Sequence, residues 1–129
     1  MLWKFQLYRK PDGFEFNLYE TLFKNCFIQC SSYTNGNLQL SLYGLDPNVN
    51  QLSHFADITL EQDTVKLKEY EIVVDNRFKP TFIPQLKDLG ILKEQTGMCI
   101  VNDAFYPIYS IDLSKIKENC YYLEELIAA

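Results

Sequence analysis

The sequence predicts an α+β domain. A mostly antiparallel β-sheet is built from hairpins, with a short helix near residues 80–89 and a C-terminal helix packed on one side. Three observations lead there. Apolar and polar residues alternate over several short stretches, as in strands with one buried face. Turn chemistry, above all Asn35-Gly36, separates those stretches. Near the C-terminus the period changes, and Ile116, Cys120, Leu123 and Ile127 fall at i, i+4, i+7 and i+11, one stripe of a helix.

Trp3, Phe5 and Leu7 alternate with Lys4 and Gln6, and Phe14, Phe16 and Leu18 with Glu15 and Asn17. Lys10-Pro11-Asp12-Gly13 between them reads as a turn, in which Pro presets φ and Gly takes the permissive position. Residues 2–19 are therefore expected to form a hairpin. A second hairpin follows around Thr34-Asn35-Gly36-Asn37, with Ile28 and Cys30 before it and Leu38, Leu40 and Leu42 after it on one face. Residues 44–53, with Asp46-Pro47-Asn48 and few apolar side chains, read as a loop.

Two further strands carry Ala56, Ile58 and Leu60, then Tyr70, Ile72 and Val74, joined by a polar surface connection. Pro80 and Pro84 suit the entry and first turn of a helix, Ile83, Leu86 and Leu89 its apolar side, and Gly90 its stop. Residues 98–101 and 106–111 read as strands around an Asn102-Asp103-Ala104-Phe105 corner, with Pro107 at a strand start or edge. Ser114 or Asp112 would cap the terminal helix. With 129 residues and no repeat or linker, residues 1–129 form a single domain.

The net charge is −5, from 17 acidic and 12 basic residues, and the isoelectric point is near 4.8. That balance disfavours direct binding to nucleic acid and suits a protein partner with a basic surface. Met1 to Gln6 lacks the pattern of a secretory signal, and no apolar run reaches the roughly 18–20 residues that span a bilayer. A cytoplasmic protein with reduced cysteines is expected, without membrane association.

Candidate chemistry is sparse. Cys26 and Cys30 have a spacing that some zinc sites use, with Cys99, Cys120 and His54 as possible completing ligands, but their alternation with Ile28 reads as core, so no metal is assigned. His54 is the single histidine and has no nucleophile at a motif spacing. The five glycines are dispersed and form no nucleotide-binding loop. No catalytic residue and no cofactor is therefore assigned. Phe105, Tyr106, Tyr109, Tyr121 and Tyr122 would complete a core or line a binding surface, the core reading coming first. The carboxylates Glu61, Asp63, Glu69, Glu71 and Asp75 remain as the candidate partner-binding face. Glu69 and Glu71 alternate with Tyr70 and Ile72 on the solvent side of a strand.

The ordered run Tyr33-Thr34-Asn35-Gly36-Asn37, Ala56-Asp57-Ile58-Thr59-Leu60, Val74-Asp75-Asn76, Leu89-Gly90, Thr96-Gly97 and Tyr106-Pro107-Ile108-Tyr109 resembles a family of small uncharacterised phage and conjugative-element proteins. The likeness covers residues 30–113, and Arg77-Phe78 stands where that pattern has a second Asn. By analogy with anti-CRISPR-type inhibitors, it implies a non-catalytic protein that binds and inhibits a host protein, such as a nucleic-acid-handling defence effector. Two alternatives come from other classes. One is a small enzyme or ligand-sequestering protein acting on a signalling nucleotide; the other is a zinc-stabilised interaction module.

Overall fold

The computed structural model describes residues 6–8, 14–18, 21–46, 51–77, 79–112 and 120–122. In chain order they form β1 (Gln6–Tyr8), β2 (Phe14–Leu18), β3 (Thr21–Ser32), β4 (Leu38–Asp46), β5 (Gln51–Asp57), β6 (Glu71–Val73), α1 (Phe82–Asp88), β7 (Leu92–Val101), β8 (Ala104–Ile111) and β9 (Cys120–Tyr122). The architecture is mostly β, which corrects the α+β expectation. Cys120, placed by its spacing on a C-terminal helix, instead opens β9, which pairs antiparallel with β1 (Gln6↔Tyr122, Tyr8↔Cys120). Cys-Tyr-Tyr has strand propensity, and the side of β1 away from β3 offers a ladder that helical spacing cannot reveal. Ile116, Leu123, Ile127 and Ser114 lie outside the described residues.

The larger sheet has the order β5-β4-β3-β1-β9, with β2 also on β3. The expected N-terminal hairpin does not form. β1 and β2 both run antiparallel to β3, end to end, with Tyr8 opposite Ile28 and Phe14 opposite Cys26. A single residue of β3 separates these two pairings; residues 9–13, including the expected Lys10-Pro11-Asp12-Gly13 turn, lie outside the described residues, as do Trp3 and Phe5. The Asn-Gly hairpin between β3 and β4 is present. Gly36 takes φ of 90°, its N–H reaches Tyr33 O at 2.9 Å, and the Asn35 side chain accepts from Asn37 N at 3.0 Å. The expected loop at 44–53 is largely strand: β4 runs to Asp46 and β5 starts at Gln51, paired with it.

The smaller sheet has the order β6-β8-β7. Its β7–β8 turn is the two-residue Asn102-Asp103, with φ of 50° and 64°, as a type I′ hairpin requires. The helix expected near 80–89 forms, burying Phe82 and Leu86. It ends on Gly90 (φ 78°) in a Schellman arrangement, with Ile91 N to Leu86 O at 3.1 Å and Gly90 N to Lys87 O at 2.9 Å. Gln85 reads the edge of β2 as a strand would. Its Oε1 accepts from Asn17 N at 2.7 Å and its Nε2 donates to Asn17 O at 2.9 Å. Phe16 and Phe82 meet edge to face at 5.3 Å beneath that contact.

The sheets join where the chain leaves β5. Ile58 N donates to Leu40 O at 3.0 Å, and Asp75 N donates back to Ile58 O at 2.8 Å. Thr59, buried, spans the junction. Its hydroxyl accepts from Leu40 N at 3.1 Å and lies 2.9 Å from the Tyr33 hydroxyl. The main core, including Ile28, Leu40, Leu42, Ile58, Ile72 and Leu86, fills the space between the larger sheet, one face of the smaller sheet and α1. A second cluster of Val73, Cys99, Tyr106 and Ile108 lies on the other face of the smaller sheet, against Leu60, Val65 and Leu67.

Thr59→Val keeps the shape of the side chain but strands Leu40 N–H. It is expected to cost about 1–3 kcal/mol, read as a lower urea midpoint at unchanged slope. Phe82→Ala is expected to cost about 3–5 kcal/mol by the same measurement.

Candidate protein-binding surfaces

The five carboxylates expected to form one partner-binding face do not form a single group. Glu61 is exposed in the connection after β5, and its charge acts on Tyr33 together with those of Asp57 and Asp75. Burial pushes the Tyr33 phenol above its ordinary range, and these three carboxylates add to it, while the hydrogen bond to Thr59 pulls the other way. Asp75 belongs to an internal clamp. Lys79 Nζ lies 3.4 Å from its carboxylate with only 10% of the lysine side chain exposed. The same ammonium donates to Asp57 O at 3.1 Å and Asp75 O at 3.3 Å. Asp63 accepts from Asn35 Nδ2 at 2.7 Å, tying the connection to the Asn-Gly turn.

Glu69 and Glu71 occupy a different place, a cleft of about 360 Å³ between the Asn35–Leu38 turn and the irregular segment leading into β6, with Lys66 and Lys68 on its wall. Glu69 is exposed and Glu71 half-buried. The Thr96 hydroxyl, then Lys68 N–H at 2.9 Å and the Lys68 charge, hold the Glu71 carboxyl below the usual carboxylate range. Above the cleft, the buried Gln62 organises the connection: its Oε1 accepts from Val65 N at 2.8 Å and its Nε2 donates to Val65 O at 3.0 Å. Asp63, Glu71 and Asp75 therefore carry structural contacts, and Glu61 and Glu69 are the two whose side chains are simply presented to solvent.

Cys26, Cys30 and Cys99 occupy core positions. Cys26 and Cys30 are fully buried on one face of β3. Four residues of strand separate their Cα atoms by about 13 Å, too far to ligate one ion. Burial first, then the Glu15 charge, pushes the Cys26 thiol up to about 11. Cys99 is buried too, its Sγ 3.4 Å from the Thr64 hydroxyl. His54 is exposed, with Nε2 2.8 Å from Asp57 Oδ1, and the Ser41 hydroxyl reaches that same oxygen at 3.4 Å. The carboxylate thus stands between serine and imidazole. Activating a serine needs the imidazole in the middle, so this trio is a surface hydrogen-bond group.

A surface that the sequence reading passed over lies at the end of the β7–β8 hairpin. Met98, Ile100 and Phe105 are 49%, 53% and 67% exposed. Ile100 pairs directly with Phe105, and Met98 with Pro107, so all three exposed side chains share one face. The neighbouring Cys99 and Tyr106 point to the opposite face and are buried. Alternation was visible in residues 98–101, but both faces of that strand are apolar, so periodicity could not say which one is covered. Tyr106 and Tyr109 are core, as read, whereas Phe105 is not.

Among the described residues no helix is long and apolar enough to cross a membrane. No family model, curated protein or solved structure matches the chain.

The lowered Glu71 pKa stabilises the fold fully above the unfolded value of 4.5, and that stabilisation disappears as pH falls through the lower folded value. Glu71→Gln is therefore expected to flatten the acid branch of stability below about pH 5, measured by urea midpoints across pH. Cys26, Cys30 and Cys99 are expected to resist alkylation in the native protein and to react after unfolding, as mapped by peptide mass spectrometry.

Proposed function

We propose that this chain acts by binding another protein, not by catalysis, and that the uncovered apolar end of the β7–β8 hairpin is the centre of its contact surface. One observation carries this reading. Met98, Ile100 and Phe105 stand side by side in solvent, while among the described residues 23 other apolar side chains are buried. Adjacent large apolar side chains exposed on one face are what binding surfaces provide, since aromatic anchors contribute most when a partner desolvates them. The net charge of −5 supplies the long-range part: it orients a partner with a basic surface and speeds encounter. The finer form of the proposal, inhibition of a host nucleic-acid-handling effector in the manner of phage-borne anti-CRISPR proteins, rests on the family resemblance together with this charge.

A second reading is favoured by the cleft between the Asn35–Leu38 turn and Lys66 to Glu71. Its volume of about 360 Å³ falls in the range of small-molecule sites, and Lys66 and Lys68 would suit an anionic ligand such as a nucleotide. His54 and the cysteines are not among its lining residues.

The test is a pull-down from bacterial lysate with the tagged chain, with bound proteins and small molecules both identified by mass spectrometry. A stoichiometric protein partner lost in a Phe105→Ser, Ile100→Ser variant supports the first reading. A partner retained by that variant overturns the hairpin surface, and a retained small ligand lost in Lys66→Ala, Lys68→Ala supports the second. Glu61→Lys with Glu69→Lys is expected to slow association several-fold and flatten its salt dependence, measured by surface plasmon resonance.

A further inference from the structure

The backbone of β7 has a direction that its pairing reveals. Pro107 has no N–H, and its carbonyl accepts from Val74 N at 3.0 Å on the β6 side. Its partner across the hairpin, Met98, is therefore in a non-hydrogen-bonded pair. The N–H and C=O of Met98 point away from β8, to the open side of the sheet. Two residues on, the Ile100↔Phe105 pair repeats that orientation. Gly97, Cys99 and Val101 turn theirs inward to β8, which agrees with the two-residue turn closing on Val101↔Ala104.

β7 is also the outer strand of its sheet. Its first half is guarded: two register shifts break the ladder between Leu92 and Gly97, and Lys93, Glu94, Gln95 and Thr96 are exposed there. Bulges and charges are how proteins discourage edge pairing. Gly97 to Val101 has neither protection. The contrast with β2 is direct, since Gln85 satisfies the outward groups of Asn17 on that strand. Among the described residues, no side chain bonds the outward N–H and C=O of Met98 or Ile100; the Gln95 amide reaches only the Met98 sulfur, at 3.0 Å, and Gly97 O, at 3.3 Å.

We propose that this edge pairs antiparallel with the same edge of a second copy of the chain, in the register centred on Cys99. That register is self-complementary. Met98 of each copy faces Ile100 of the other, so both outward N–H groups and both outward carbonyls of each copy find partners, giving about four backbone hydrogen bonds in two hydrogen-bonded pairs. Opposed residues share a face, so rows running Phe105, Ile100, then Met98 and Pro107 of the second copy cross the junction twice. The two smaller sheets become one sheet of six strands about a two-fold axis, which closes the association at two copies.

The covered area is small, in the class below about 1,200 Å² in total, so the dimer is expected to be transient, with a dissociation constant on the order of 10–100 µM. Because each copy carries −5, salt is expected to strengthen association by screening the overall repulsion. This inference does not depend on the binding reading above.

The experiment is sedimentation velocity of the full chain from about 1 µM to about 500 µM. The weight-average mass is expected to rise from that of one chain toward that of two. Met98→Pro removes only an outward donor at a position where an edge strand tolerates proline, and Ile100→Lys adds an edge charge. Both variants are expected to stay monomeric, with melting temperatures within a few degrees of the parent. Amide exchange gives a second measurement on the unaltered chain: Met98 and Ile100 amides should exchange fast when dilute and become protected when concentrated. A mass that never leaves the monomer overturns the proposal. So does a dimer that survives in both variants, or Met98 and Ile100 amides whose protection ignores concentration.

Discussion

The arrangement of the two sheets depends on one buried hydroxyl. Thr59 sits where the chain leaves β5 and reaches β6, opposite Val74 in an isolated bridge. Its side chain holds Leu40 N–H on the larger sheet and the Tyr33 hydroxyl at the end of β3. A strand that changes sheets must abandon one ladder before it joins the next, which leaves backbone groups stranded at the corner. Here Leu40 N–H would be such a group. A threonine is small enough to be buried and has the oxygen to satisfy it, which a valine lacks.

Other features follow from that junction. With residues 58–60 tied to both sheets, the polar connection after them crosses the outer face of the smaller sheet, and Gln62 locks its path onto Val65. Leu60, Val65 and Leu67 thereby cover Val73, Cys99, Tyr106 and Ile108. The other face of the same sheet meets the main core only part of the way along the hairpin. Tyr109 and Ile111 are inside it, while Met98, Ile100 and Phe105 project past its edge. The exposed apolar end is therefore a consequence of hairpin length: β7 and β8 are longer than the core they pack on.

Much of the local structure was legible in the residues. Asn35-Gly36 made its hairpin because both residues tolerate the required positive φ, and Gly90 stopped its helix for a related reason. Pro80 and Pro84, with Ile83, Leu86 and Leu89 as an apolar side, marked α1. The misreadings share a cause. Alternation is seen at 15–18, where Phe16 and Leu18 are buried, yet β1 and β2 became two lengths of one interrupted edge on β3, because a turn signal does not say which strands it joins. Residues 44–53 looked like a loop since Gly44, Asp46 and Ser53 are poor strand formers; pairing with a long neighbour overrode propensity. The helical stripe at 116–127 met a competing strand at Cys120–Tyr122, where an unpaired edge of β1 was available. Among the candidate site residues, Glu61, Asp63 and Glu69 are exposed, whereas Glu71 and Asp75 are half-buried. Only the fold separated Asp75, clamped by Lys79, from Glu61 and Glu69.

By itself the sequence determined the β-rich character of the chain, its Asn-Gly hairpin turn, its short helix, the core positions of Cys26 and Cys30 and the sign of its charge. Those properties come from local φ preferences, side-chain period and composition, all of which act over a few residues. Tertiary structure alone decided which strands are neighbours, which carboxylates are engaged and which apolar face of the β7–β8 hairpin meets water. Each of these depends on contacts between residues distant in the chain, and when both faces of a strand are apolar, no local pattern distinguishes the covered side from the open one.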